Sequence, residues 1–513
     1  MQTALIDHLR MLGLILCFLF FLASCSPSPE PVSSEPQAAV TAKSRPPLVI
    51  LISIDTLRAD HLSLYGYPRL TSPVLDAFAS RGVVFEDASS PAPWTAPAHA
   101  SMLTGLYPLR HGVETFFTSL PDEVPTLAQF LAREGYRTAA VVNSGWLKKD
   151  RQGITRDFDQ YLFVDDIPDR RAPNTWITDQ ALEWIRESKD QPLFLFIHYY
   201  DVHSDYVSLP EYERLFVTPY SGKADGTGWQ LAQASFEDDY VEMCHENYDP
   251  TKCRIGTPDN YLAVDRSVGK IFFDDADIRH LKELYDAGIR QLDNELGRLF
   301  SQIEAEGLLE NTLTVITSDN GEEFMEHGRM DHFLTMYQEM LHVPLIIRGP
   351  GIPKGIRIDT PVSLVDIVPT ILSTTSVENI SGLDGLDLRS LFSSSKSPAF
   401  EKRLLFGEAS GGMTHELIMD DIYPVFYSIR QGAHKLIHDR KEDSWFLYDL
   451  ESDPDETVNL LTANSPSHSK IGTELEAALL KRHGNFRSRP SRSEQIEISE
   501  EEMRKLRALG YLP

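Results

Sequence analysis

Uninterrupted apolar runs recur along the chain. Pro47–Ser53 reads Pro-Leu-Val-Ile-Leu-Ile-Ser, rich in β-branched residues and without polar alternation. That pattern predicts a strand buried on both faces. Thr138–Val142, Leu193–His198, Leu313–Thr317 and Val343–Ile347 repeat it. Between these runs, Thr126–Glu134, Thr178–Ile185 and Tyr285–Ile303 carry apolar residues at helical spacing. Buried strands alternating with helices predict an α/β fold, a mostly parallel sheet sandwiched by helices. Ligands of such sheets gather beyond the C-terminal ends of the strands. Asp55, the His203 region and Asp319 each lie just past such an end, so distance in sequence does not keep them from one site.

The periodicity fails in two places. From Ser208 to Ser267, Gly, Asp and Tyr are frequent, which predicts a long excursion beside the site that shapes substrate choice. A Ser-rich stretch begins after Ser373 and runs to Pro398. Beyond it, Tyr427–Leu436 and Trp445–Leu450 predict short antiparallel strands joined by a charged turn. Ser499 can cap a closing helix to about Leu509, with Glu500–Glu502 in its first turn. The expected organisation is a main domain over 46–375 and a smaller C-terminal α+β subdomain over 399–513.

At the start of the chain, Arg10 precedes an apolar run, Met11–Phe21, and then Leu22-Ala23-Ser24-Cys25. A charged start, a short apolar core and small residues before a cleavage point predict a signal peptide over 1–24. The run is short for a membrane span. Cys25 stands where a bacterial lipoprotein carries its lipid, which predicts membrane attachment through Cys25 at the cell envelope, on an outer-membrane lipoprotein or a periplasmic face. A plain signal peptide is the alternative. Residues 25–45, rich in Ser, Pro, Ala and Glu, predict a flexible tether. Cys244 and Cys253 could close a small disulfide loop outside the cytosol or stand as free thiols.

The formal net charge is −28 over 513 residues. So acidic a surface repels nucleic acid and excludes it as the expected partner. An acidic protein can still hold an anion where a pocket concentrates positive charge, and a metal ion is the most compact source.

Three segments carry candidate chemistry. In Ser53-Ile54-Asp55-Thr56-Leu57-Arg58-Ala59-Asp60, Asp55 offers a hard oxygen at the sheet edge, or simply caps the next helix. In Trp94-Thr95-Ala96-Pro97-Ala98-His99, Pro97 suits the first turn of a helix. Thr95 would then lie at its N-terminus, where free N–H groups favour an anion. A hydroxyl there can be a nucleophile. The plainer reading makes Thr95 an N-cap and His99 a surface histidine. In Thr317-Ser318-Asp319-Asn320-Gly321-Glu322, Asp319 and Asn320 both present oxygens and Gly321 permits close backbone approach, or the segment is an Asx turn.

Taken together these segments resemble the sulfatase family of the alkaline phosphatase superfamily. Tyr65-Gly66-Tyr67, His198-Tyr199-Tyr200-Asp201-Val202-His203, Glu326-His327-Gly328, Val343-Pro344-Leu345-Ile346-Ile347 and Leu447-Tyr448-Asp449-Leu450 extend the likeness to nearly everything from Pro47 onward. The resemblance implies an alkaline-phosphatase-like fold and hydrolysis of an anionic ester. It implies Asp55, Asp319 and Asn320 as metal ligands, with Thr95 as nucleophile touching the metal. His203 would contact the oxyanion or leaving group. His332 lies near the family's basic residue, and His99 stands where the family carries Arg. The oxygen-rich set points to Ca²⁺ or Mg²⁺, with Mn²⁺ or Zn²⁺ as alternatives.

The departures alter the expected chemistry. Thr95 replaces the Cys or Ser that sulfatases convert to formylglycine. Thr56 replaces a second Asp, and Asn143-Ser144-Gly145 replaces a Lys-x-His. A threonine sulfate has no second hydroxyl through which to eliminate sulfate, whereas a phosphothreonine is cleared by in-line attack of water. The expectation is a hydrolase of a sulfate, phosphate or phosphonate ester, with a glycan or lipid head group as the candidate carrier. The alternatives are a phospho-alcohol transferase acting on envelope glycan or lipid, and a noncatalytic glycan-binding protein.

Overall fold

The computed structural model describes residues 47–487 except 116–117, 150, 165–172, 189, 236–254, 258–259, 263–270, 378–380, 394–396, 410–425, 441 and 463–465. The N-terminal segment with Cys25, the pair Cys244 and Cys253, and the expected helix from Ser499 lie outside the described residues.

The five apolar runs are strands: β1 (Leu48–Ile54), β3 (Arg137–Val142), β5 (Leu193–Tyr199), β8 (Thr312–Ser318) and β11 (His342–Arg348). The sheet also holds β2 (Val83–Ser89), β4 (Gln160–Phe163), β12 (Ile356–Ile358) and β13 (Val362–Ser363). Their order is β12-β2-β11-β8-β1-β5-β3-β4, with β13 paired to β2. Neighbours are parallel except along β11, which runs antiparallel to both β2 and β8. The periodicity missed β2, whose apolar pattern Glu86-Asp87 interrupts, and β4, which is only four residues long.

Successive β1 side chains enter opposite cores. Val49 and Leu51 join Phe194, Phe196 and Val315 on one face. Leu48, Ile50 and Ile52 join Leu193, Leu195 and Ile197 on the other. Burial on both faces explains why these strands read as continuous apolar runs. The first face is covered by helices Thr95–Thr104, Leu127–Arg133 and Ile367–Thr374. The second is covered by Pro73–Ala79, Pro173–Glu187 and the long helix Asp275–Ala305. Thr126 caps the Leu127 helix by accepting from Gln129 N at 3.2 Å. Among the described residues no helix is long and apolar enough to cross a membrane.

The expected excursion contains two short helices, Pro210–Phe216 and Gly228–Ser235, and a hairpin of β6 (Ile255–Thr257) with β7 (Asn260–Leu262). A second small ladder pairs β9 (Glu323–Phe324) with β10 (Met330–Asp331). The C-terminal part is a four-stranded antiparallel sheet of β14 (Leu405–Gly407), β15 (Phe426–Gln431), β16 (His434–Asp439) and β17 (Ser444–Asp449). The expected strand Tyr427–Leu436 is therefore two strands, broken at Gly432, whose φ of 57° makes a tight turn. Leu436 and Leu447 pack on Leu475 and Leu479 of helix Pro466–Arg487, which the sequence pattern had not predicted. Ile437 and Tyr448 pack the other way, on Met336, Met340 and Leu341 of the main body.

Candidate active site

Residues Ile54, Tyr199 and Ser318 end β1, β5 and β8 in one register. Asp55 and Asp319 therefore emerge side by side beyond the sheet edge. Their alternation follows Ser53 and Thr317, onto the face covered by helix Thr95–Thr104. His198 sits in register with Ser53 and belongs to the same face. Sheet register, not proximity in sequence, assembles the group.

Each side chain has a defined hold. The Asp55 N–H donates to Tyr199 O at 2.9 Å. Asp319 Oδ1 accepts from Thr56 N at 3.2 Å and Asn320 N at 2.9 Å. Asn320 Nδ2 donates to Gly321 O at 2.8 Å, which turns its Oδ1 inward. A Cβ on Gly321 would lie 1.8 Å from Glu339 O, so the close approach read from the sequence is real. Thr56 adopts φ 53°. Tyr285 fixes it from the long helix, donating to Thr56 O at 2.7 Å and accepting from Arg58 N at 2.9 Å.

What remains is a set of buried polar atoms with no hydrogen-bond partner: both Asp55 carboxylate oxygens, Asp319 Oδ2 and Asn320 Oδ1. Burial pushes the Asp55 carboxyl up to about 7. Burial, and then the neighbouring Asp55, push Asp319 up to about 6. Buried carboxylates without compensation are costly, so this oxygen set fits a divalent cation.

Thr95 is buried and begins its helix. The N-cap is Trp94, which makes no side-chain capping bond, so Thr95 is not the N-cap of the plainer reading. His99 is fully buried rather than on the surface. Its Nδ1 donates to Thr95 O at 2.8 Å and its Nε2 pairs with Ser53 Oγ at 2.9 Å. Because a carbonyl only accepts, Nδ1 bears the proton and Nε2 accepts from the serine. His99 Nδ1 also lies 3.5 Å from Asp319 Oδ2. Thr95 is thereby tethered through one helical turn to the acidic cluster.

His203 and His332 meet edge to face, with ring centroids 4.7 Å apart. His203 stacks on Tyr200 and its Nδ1 donates to Ser204 O at 2.8 Å. Burial, and then His332, push it down to about 3. His332 Nδ1 lies 2.8 Å from Asp331 and 3.2 Å from Glu322. Burial opposes its charge, yet these two carboxylates hold its pKa well above the ordinary histidine value. Asn143 and Ser144 are buried just beyond β3. Trp146, two residues on, packs edge to face against Trp94 at 5.4 Å.

Sequence reasoning had not assigned site roles to His198, Glu322, Asp331 or Tyr285. His198 had a signal, being the polar interruption of an apolar strand. Glu322 closes the Thr317–Glu322 segment but carried no sign of its partner, and Asp331 had no signal, because β10 is only two residues long.

The architecture is an alkaline-phosphatase-like α/β fold, with a smaller antiparallel C-terminal sheet. The chain belongs to the sulfatase family, since residues 47–377 match the family model described as Sulfatase. Residues 325–485 match a second model, N-sulphoglucosamine sulphohydrolase, C-terminal. Arylsulfatase K of Mus musculus is 26% identical, covering 88% of this chain and 82% of its own. The ulvan-active sulfatase of Formosa agariphila is also 26% identical, covering 93% and 87%. A structure solved with its substrate D-glucosamine-2-N,6-O-disulfate superposes with a TM-score of 0.67 at 21% identity, covering 88% of this chain and 99% of that one. The phosphonate monoester hydrolase of Agrobacterium radiobacter gives 0.65 at 20% identity, covering 86% and 96%. The chain is thus an enzyme of the sulfuric ester hydrolase kind, in a family that is generally dependent on a divalent metal.

Proposed function

We propose that this protein is a metal-dependent hydrolase that cleaves a sulfate or phosphate/phosphonate ester through a Thr95 nucleophile. The substrate is an anionic ester carried on a glycan or lipid head group, met at the cell envelope where Cys25 anchors the chain. The observation that carries the reading is the set of buried oxygens without a hydrogen bond on Asp55, Asp319 and Asn320, beside the helix that begins at Thr95. Asp55, Asp319, Asn320 and the Thr95 hydroxyl would hold the ion. A divalent cation there supplies positive charge that favours the alkoxide of Thr95 and offsets charge on the ester oxygens.

The chain's own groups do the rest. Thr95 Oγ loses its proton to solvent water and attacks sulfur or phosphorus in line with the leaving oxygen, whose bond to that atom breaks as the Thr95 ester forms. Free N–H groups of the first helical turn face the anion. His332, whose charged form Asp331 and Glu322 favour, delivers a proton to the leaving oxygen, giving an alcohol. Water then attacks the Thr95 ester and restores the hydroxyl. A threonine offers no second hydroxyl for elimination, so this last step favours phosphorus over sulfur.

The test is a panel of chromogenic sulfate, phosphate monoester, phosphate diester and phosphonate substrates, with Ca²⁺, Mg²⁺, Mn²⁺ or Zn²⁺ added. Thr95→Ala is expected to lower kcat by at least ~10³-fold on whichever ester is turned over. Undiminished turnover by that variant would remove Thr95 from the reaction. If no ester is turned over while a sulfated glycan binds, the protein is a noncatalytic glycan binder instead.

A further inference from the structure

Asp331 ends the short strand β10, and His332 follows it. Asp331 adopts φ 70°, in the left-handed region that strains most L residues and that Asp and Asn tolerate best. The bend folds its carboxylate back onto the next residue. One oxygen, Asp331 Oδ1, accepts from His332 N at 3.0 Å and lies 2.8 Å from His332 Nδ1. The same ring nitrogen donates to Glu322 Oε1 at 3.2 Å. Burial opposes the Asp331 charge, yet His332 beside it holds its carboxyl below the ordinary value. An ionised carboxylate only accepts, so Nδ1 keeps its proton. Nε2, at the other end of the ring, makes no hydrogen bond among the described residues. The other titratable groups facing the ring are His203, edge to face at 4.7 Å, and Asp55, which acts on it electrostatically.

We infer that Asp331 is a positioning residue, which pins the proton of His332 on Nδ1 and leaves Nε2–H as the atom that serves the leaving oxygen. This rests on the proposed function and names the atom and the support of its acid step. Nε2–H passes its proton to the leaving oxygen as that oxygen's bond to sulfur or phosphorus breaks. A neutral ring remains, with Nδ1–H still held. The water that then attacks the Thr95 ester returns a proton to Nε2, and Thr95 Oγ regains its own from solvent as its ester bond breaks. The charge of Asp331 stabilises the charged ring, so the acid stays loaded to higher pH than an ordinary histidine would. The strained backbone at Asp331 is what lets one oxygen hold both the backbone and the ring of its neighbour.

The test uses the full-length protein and whichever ester class it turns over, presented once with p-nitrophenol and once with methanol as the leaving alcohol. Nitrophenolate departs without a proton, whereas methoxide needs one. His332→Asn is expected to lower kcat on the methyl ester by roughly 10²- to 10⁴-fold and on the nitrophenyl ester by less than about tenfold. Asp331→Asn keeps an oxygen and tolerates the same backbone but removes the charge. It is expected to move the alkaline fall of kcat on the methyl ester down by about one pH unit or more. KM should stay within about threefold, and the nitrophenyl profile should not move. An unmoved alkaline limb, or an equal loss on both esters, overturns the assignment, while Thr95→Ala tests the nucleophile separately. ¹⁵N–¹H spectra of the wild type, with His332→Asn to identify the ring, are expected to show Nδ1–H retained when the ring turns neutral. A neutral ring with bare Nδ1 overturns the assignment without reference to turnover. If no ester is turned over, the proposed function falls and the acid step with it.

Discussion

His99 and His198 carry the same ring with centroids 5.1 Å apart, yet their hydrogen bonding differs. Burial pushes both down to about 4, so each is a neutral ring beside a carboxylate. His99 spends both nitrogens on holding Thr95 and Ser53, where the family carries an Arg. Gly321 is the other residue whose environment admits no substitute. Its missing side chain lets the Asp319-Asn320 segment lie against Glu339, whose carbonyl would meet a Cβ at 1.8 Å. Gly321→Ala should cost about 3 kcal/mol or more, because the obstacle is backbone rather than a flexible side chain. Urea unfolding checks this. A loss below about 1 kcal/mol would mean that the segment shifts freely.

Among the elements, the long helix Asp275–Ala305 does more than cover a sheet face. Its Tyr285 hydroxyl spans the turn after β1, bonding Thr56 O and Arg58 N. Thr56 is held with positive φ, a conformation that L side chains rarely adopt, and in it the Thr56 N–H reaches Asp319. Tyr285→Phe removes the hydroxyl and leaves two buried backbone groups unpaired, which should cost about 1–3 kcal/mol. It should also loosen the turn that carries Asp55. Two measurements on the same variant separate these effects: chemical denaturation, and the metal affinity of the folded protein. Unchanged metal affinity would make Tyr285 a stability residue only.

For the molecule as a whole, the C-terminal sheet is fastened to the main body by buried charge. Lys435 on β16 pairs with Glu456 at 2.9 Å, and Glu456 also accepts from Gln338 N at 2.6 Å. Burial outweighs the pairing for both, lowering the lysine pKa and raising that of the glutamate. Glu456→Ala leaves a buried ammonium uncompensated and should cost about 3–5 kcal/mol, seen as a lower Tm. Glu456→Gln should recover part of it. Glu408 makes a second fastening, accepting from Leu109 N at 2.9 Å and pairing with Arg482.

Across that junction, burial and then the nearby Glu408 push Glu114 from 4.5 up to about 7. A carboxyl raised in the folded state binds its proton more tightly there than in the unfolded chain. Its contribution to stability is complete below about 4.5 and is lost as pH rises through about 7. Glu114→Gln should therefore flatten the fall in stability across that interval. A wild-type slope in the variant would show that Glu114 is not its source.

The sequence by itself determined the central strands, since Leu48–Ile54, Leu193–Tyr199 and Thr312–Ser318 are buried on both faces and carry the burial in their composition. It likewise determined that Asp55 and Asp319 stand at strand ends, because each directly follows an apolar run of strand length. Tertiary structure alone decided which side chains meet there. Strand register set His198 beside Asp55, helix packing turned His99 onto Ser53, and the ladder of β9 with β10 brought Asp331 and His332 back beside Glu322, which precedes β9. Side-chain alternation writes burial into each strand locally, but register and packing direction are shared between segments far apart in the chain and leave no local pattern.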